Sequence, residues 1–359
     1  ASVTASLDVS VVAVADTPTS TTTAASGDED TAIALDISSA LADLDGSEAL
    51  EVIITGIPDG ATLSAGIVND DGSVTLTPDQ LAGLTITANG QPIEWVRDPL
   101  DVYAFTIDVP QGASEIVASF QFLSATQPNQ GRVVITPKML NLQWEQVSLY
   151  PAGYYTRQIP VQATVTYPAG WQAATALRGT KTGDTVAYET IDYEALQDSP
   201  VFAGRYFKPV DLGHDVTLNI VADDADELAY KPEQIAKHKK LVDEAGALFG
   251  AYHFNHYDFL LAITDEMGGI GLEHQRSSEN QVEPGYFKDW DSDKALLDRN
   301  LLPHEFTHSW DGKFRRPDLL WTPDFRTPMQ DNLLWVYEGQ TQFWGYVLGA
   351  RSGLFTKQE

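Results

Sequence analysis

The run Pro303-His304-Glu305-Phe306-Thr307-His308 constrains this chain more than any other stretch, because its chemistry exists only on a helix. On a helix, positions i and i+4 share a face, so His304 and His308 can direct two imidazole nitrogens at one ion. Glu305 sits one residue round, near enough to take a proton from a metal-bound water. Zinc takes neutral nitrogens and carboxylates in a tetrahedral set, with one position left open for chemistry. The alternative is a charged face on an ordinary helix. Pro303 lacks an N–H and should kink or restart the helix there. Asp291 or Asp293 could cap a helix leading into it.

A third ligand has to come from elsewhere. Trp335-Val336-Tyr337-Glu338-Gly339 lies in an apolar stretch preceded by Asp331-Asn332, a candidate cap. On a helix there, Leu334, Glu338, Thr341 and Gly345 share a face. A lone carboxylate among apolar neighbours is costly unless paired or metal-bound, so Glu338 is the candidate ligand. The competing assignment is a buried ion pair with Lys313, Arg315 or Arg316. Small Thr341 and Gly345 would let this helix come close to the histidine helix.

Upstream, the pattern predicts a helix over Pro232 to Ala251, with Pro in its first turn, and a buried strand over Asp258 to Thr264. A glycine-rich edge follows, Gly268-Gly269-Ile270-Gly271-Leu272-Glu273-His274. Residues 87–228 read as an antiparallel β domain of sandwich or saddle form. Its strands are expected at Ile93–Val96, Val102–Val109, Ile116–Phe122, Arg132–Thr136, Ile159–Tyr167 and Val216–Ala222. Its aromatic residues are expected in the core rather than in a ligand cage.

Charge divides the chain. Residues 1–90 hold fourteen Asp and Glu and no Lys, Arg or His, whereas the remaining 269 carry all 22 basic residues, all seven His and 37 acidic residues. Such a break predicts segments of different origin. Residues 1–26, rich in Thr, Ser and Ala, read as a tether. Residues 27–86 read as an acidic, sandwich-like antiparallel β segment with turns at Pro58-Asp59-Gly60 and Asn69-Asp70-Asp71-Gly72. Asp43, Asp45 and Glu48 surround a glycine turn and could offer oxygens to calcium; a solvated turn is the alternative.

The net charge of −29 argues against a nucleic-acid partner. No apolar run approaches the roughly 18 residues of a membrane helix. The first 30 residues lack the basic start and apolar core of a signal peptide. With no cysteine, disulfides and thiolate metal ligands are excluded.

Two resemblances organise these observations. The run from His304 to Pro317, with Trp335-x-x-Glu338-Gly339, resembles the bacterial glycyl aminopeptidase family. These are gluzincin-clan zinc peptidases with an N-terminal β domain, a thermolysin-like catalytic domain and a PDZ domain. The likeness extends back through Gly90-Gln91-Pro92-Ile93-Glu94-Trp95 and Asn141-Leu142-Gln143-Trp144, over about 82–359. It implies His304, His308 and Glu338 as zinc ligands and Glu305 as general base. It also implies an exopeptidase motif at Gly269–His274, where Gly271 and Glu273 bind substrate and Glu273 takes the free α-amine. For Glu273, a structural salt bridge is the alternative.

Residues 27–86, through Gly27–Ile33, Asp43–Glu48 and Gly60–Gly66, resemble a cadherin- or Ig-like repeat of type I secreted bacterial adhesins, which implies calcium-stiffened extracellular modules. Leu81–Thr87 fits both families, so the junction reads as that of a chimera.

The expected fold is therefore α+β and multidomain. It has a partial β repeat, an antiparallel β domain (87–228) and a thermolysin-like catalytic domain (229–359) cut short at its C-terminal end. The expected function is a zinc aminopeptidase removing small N-terminal residues, Gly or Ala, from peptides with a free N-terminus, in a periplasmic or extracellular setting. A non-catalytic calcium-binding adhesin fragment joined to an inactive peptidase domain is the second reading, and an endopeptidase the third.

Overall fold

The computed structural model describes residues 19–23, 35–40, 52–58, 61–63, 66–76, 84–101, 103–125, 127–128, 131–292, 296 and 298–356. Asp43, Asp45, Glu48 and Asp293 lie outside them. No described helix is long and apolar enough to cross a membrane. The chain divides into two compact units, Ala1–Gly131 and Arg132–Glu359.

In the first unit every described strand pairs antiparallel. Thr19–Thr23 pairs with Asp36–Ala40, and Val74–Leu76 lies between Val52–Ile54 and Ile67–Val68. Thr85–Ala88 lies between Ile116–Ser119 and Gln91–Pro92, and Trp95–Arg97 pairs with Phe105–Ile107. Val74 with Leu76, and Ile86 with Ala88, are buried, because alternate residues of a strand face the same side. The turn expected at Asn69–Gly72 forms. Gly72 has φ 78°, and its N–H donates to the Asn69 carbonyl at 3.0 Å. The strands expected over Val102–Val109 and Ile116–Phe122 are shorter, Phe105–Ile107 and Ile116–Ser119.

The second unit is built on a five-stranded mixed sheet: β1 (Tyr206–Gly213), β2 (Val216–Ala222), β3 (Tyr257–Ile263), β4 (Gly271–Glu273) and β5 (Ser277–Val282). The spatial order is β1-β2-β3-β5-β4. β2, β3 and β5 run parallel, while β1 and the short edge strand β4 run antiparallel to their neighbours. Val216–Ala222 lies on the N-terminal side of residue 228 in sequence, yet it is hydrogen-bonded along its whole length to β3.

Parallel neighbours need a crossover, and helix α1 (Pro232–Phe249) supplies it. Proline opens α1, and Gly250 at φ 82° closes it in the left-handed region. All seven residues of β3 are buried, as a strand covered on both faces requires. Phe259, Leu261 and Ile263 face a core shared with Leu241, Val242 and Ala245 of α1. Leu260 and Ala262 face Met139, Phe202 and Met267 on the other side.

Between Arg132 and β1 lie several short antiparallel pairs around an aromatic core of Trp144, Tyr167, Trp171, Tyr188 and Tyr193. Here the aromatics do pack as core. The strand expected at Arg132–Thr136 does not form. Only Ile135 bridges to Leu140. The Val133 carbonyl accepts from Gly268 N–H, and Thr136 Oγ1 accepts from the N–H groups of Lys138 and Met139, so the ladder ends in a tight turn.

Two further helices carry the site, α2 (Leu301–His308) and α3 (Leu334–Ser352). α2 is anchored by Leu302 and Phe306, both fully buried in the core above β3; burial of each such side chain contributes about 1.5–3 kcal/mol. Asn300 precedes α2 with no side-chain cap. Pro303 falls in the first turn, where its missing N–H has no intrahelical partner to lose.

Candidate metal centre

The helical spacing turns His304 and His308 to one side of α2, where their Nε2 atoms lie 3.2 Å apart. α3 brings Glu338 to the same point, with Oε2 3.5 Å from His304 Nε2 and 3.4 Å from His308 Nε2. Ligands about 2.0–2.1 Å from a tetrahedral zinc are separated by about 3.3–3.4 Å. The three donor atoms therefore form a triangle of the size zinc requires, and two imidazoles with one carboxylate are a zinc-type set.

The close approach of the helices depends on small residues. A Cβ on Gly345 would stand 3.1 Å from His304 Cα, and Thr341 is fully buried. Glu338 itself is half-exposed. The expectation of a carboxylate submerged among apolar neighbours is thus corrected: Glu338 stands at the mouth, and Trp335 and Phe343 of the same helix are exposed too. Among the described residues the basic side chains within 4 Å of its carboxylate are the two histidines. Lys313 pairs instead with Asp198, and the Arg316 Nε–H donates to the Gly312 carbonyl.

The state of the imidazoles suits ligation. Burial lowers the pKa of both His304 and His308, keeping them neutral. The His308 Nδ1–H donates to the Asp311 carbonyl at 3.1 Å, and Thr341 Oγ1 lies 3.2 Å from the same nitrogen and 3.3 Å from Asp311 Oδ2. A carbonyl can only accept, so the proton is on Nδ1 and the Nε2 lone pair faces the site.

Glu305 is 4% exposed. Burial, together with the Glu273 and Glu338 carboxylates, pushes its pKa up to about 8, and a cation between the histidines would bring it down. Gly271 on β4 admits it: a Cβ there would lie 2.7 Å from Glu305 Oε1 and 2.6 Å from Leu301 Cδ1.

Glu273, at the end of the same edge strand, offers a carboxylate oxygen that forms a second close set with Glu305 and His308, all within 4.8 Å. Burial works against its charge, but Lys313, His308 and the Tyr337 hydroxyl more than offset this, and its pKa lies below the ordinary carboxylate value. No described Lys or Arg makes a salt bridge with it.

Beneath β4 lies a charged floor that sequence reasoning missed. His274 is 5% exposed, with Nδ1 3.1 Å from Asp198 Oδ1 and Nε2 3.0 Å from Glu279 Oε2. Both ring nitrogens must donate, so the ring is an imidazolium. Burial opposes the charge, yet the two carboxylates carry the pKa up to about 9. Lys313 bonds Asp198 at 3.0 Å, and Asn141 Nδ2 donates to Glu279 Oε1 at 2.5 Å. Arg132 holds Asn141 in turn, Nη2 to Oδ1 at 2.6 Å. His274 stood in the glycine-rich run, but nothing in its neighbourhood signalled Asp198, 76 residues away.

Parts of the chain are similar to known proteins. Residues 77–205 match the peptidase M61 N-terminal domain, and residues 298–359 match the M61 glycyl aminopeptidase family. A solved aminopeptidase N family protein from Idiomarina loihiensis has a similar fold, with a TM-score of 0.62 at 18% identity over 76% of this chain and 46% of that one. The chain thus spans under half the length of that protein. No curated protein matches the chain. Two stretches of this chain, 77–205 and 298–359, are thus similar to domains of the M61 peptidases.

Proposed function

We propose that this chain is a zinc-dependent aminopeptidase acting on small N-terminal residues, Gly or Ala. The observation that carries the reading is the closeness of Glu273 to Glu305 and His308, within 4.8 Å. In a peptide the terminal nitrogen is about 2.5 Å from the first carbonyl carbon, across one N–Cα and one Cα–C bond. An ammonium group paired with Glu273 therefore puts the first peptide bond, and no later one, beside Glu305.

His304, His308 and Glu338 would hold the ion. Zinc bound there supplies Lewis-acid polarisation of a carbonyl and acidifies water. Glu305 accepts a proton from the attacking water and returns it to the departing amine. β4, as an edge strand, offers its backbone to an extended substrate, and Gly271 keeps the space beside Glu305 open. Glu273 selects the charged N-terminus by a charge-assisted hydrogen bond. A periplasmic or extracellular setting belongs to the same reading and rests on the net charge of −29 and on the resemblance of residues 27–86 to secreted adhesins.

The test is metal content together with hydrolysis of Gly- and Ala-anilides. Glu305→Gln should keep stoichiometric zinc and lose about 10²–10⁴-fold in turnover. Stoichiometric zinc with no Glu305-dependent turnover would sink the enzymatic reading while leaving the metal site intact.

A further inference from the structure

Tyr337 precedes the ligand Glu338 on α3, but its side chain leaves the metal triangle and turns to β4. Its ring lies against the His308 ring, with centroids 4.5 Å apart and planes inclined by 31°. It also meets Gly312, at φ +132°, where an added Cβ would collide with the ring. The phenol is 6% exposed, and its hydroxyl donates to Glu273 Oε1. Among the described residues no other side chain makes a hydrogen bond to that carboxylate.

We infer that Tyr337 is a positioning residue for amine recognition: its seated hydroxyl occupies one oxygen of Glu273 and so fixes the direction in which the other is presented to a substrate ammonium. This rests on the aminopeptidase reading. A glutamate at a strand end would otherwise sample several rotamers, and a carboxylate free to turn discriminates poorly between an ammonium and water. Because α3 carries both Tyr337 and Glu338, the amine anchor and the metal triangle are set by one rigid element.

The test uses the zinc-loaded full chain and two hydroxamates that differ only in the amine, glycine hydroxamate and acetohydroxamate, with binding measured by calorimetry. The wild type is expected to prefer glycine hydroxamate. Tyr337→Phe keeps the ring and should reduce that preference by about tenfold, the loss typical of one hydrogen bond to a charged group, while acetohydroxamate affinity stays unchanged. Gly312→Ala, which moves the ring off its seat and keeps the hydroxyl, should produce the same loss by an independent route. In a Glu273→Ala background, Tyr337→Phe should have no further effect.

An unchanged preference in Tyr337→Phe overturns the role of Tyr337 alone. So does an equal loss of both hydroxamates, which would assign the phenol to the metal site. A wild type with no preference for the amine overturns the aminopeptidase reading, and this inference with it.

Discussion

On α2, His304 and His308 face each other and a half-exposed carboxylate. Under β4, His274 has a carboxylate on each ring nitrogen. All three rings are largely buried, and burial alone drives an imidazole towards neutrality. It prevails at His304 and at His308, whose Nδ1–H goes to a neutral carbonyl, and it loses at His274, where buried Glu279 and partly buried Asp198 flank the ring. The neutral pair has lone pairs to offer a metal. The charged ring has none and can serve only as a fixed cation under the strand that carries Glu273. Residue type does not separate these roles; the partner on the second nitrogen does.

The comparison can be broken from either side, most heavily through the floor. Glu279 is fully buried between His274, Asn141 and Gln143. Replacing it with Ala leaves the buried imidazolium with Asp198 alone and its Nε2–H without an acceptor, and breaking a buried charge pair typically costs about 3–5 kcal/mol. Urea denaturation should show the midpoint falling accordingly with the slope unchanged; a shift no larger than that of a surface substitution would mean the floor is not a charged network.

On the metal side the sharper probe is Gly271→Ala. Its Cβ would displace Glu305, and a misplacement of about 1 Å can cost about 100-fold in rate. Zinc content should be unaffected, since Gly271 touches no ligand. A parallel loss of zinc would contradict the separation of base from ligands.

The smallest effect is a pH dependence. His274 has a folded pKa of about 9, above its usual value near 6.5. Its contribution is therefore fully present below about pH 6.5 and declines as pH rises through about 9. Between those limits the folded state holds the extra proton, so stability should fall by up to about 1.4 kcal/mol per pH unit from this group. His274→Gln should flatten that slope. A slope that persists in the variant belongs to another group.

How much of this was legible follows from the range of each signal. The i, i+4 histidines and the buried β3 are local patterns, and both appear where expected. The α3 helix and its small residues facing α2 were legible from spacing. The exposure of Glu338 was not, because apolar residues at helical spacing signal core, while Trp335 and Phe343 of α3 are exposed. The apolar neighbours Val133 and Val134 predict a strand through Arg132. Its guanidinium instead reaches Gly268, Asn141 and Gln143. Asp198 and Glu279 carried no pattern at all, since their meaning comes only when the fold brings them to the two sides of one ring.

The most direct measurement is nitrogen-15 NMR of the imidazoles at pH 7.5 while zinc is added to metal-free protein. The account predicts that His304 and His308 begin neutral and shift together on one equivalent of zinc, while His274 keeps protons on both nitrogens throughout. Zinc that leaves His304 and His308 unmoved, or a His274 that is neutral at that pH, would contradict it.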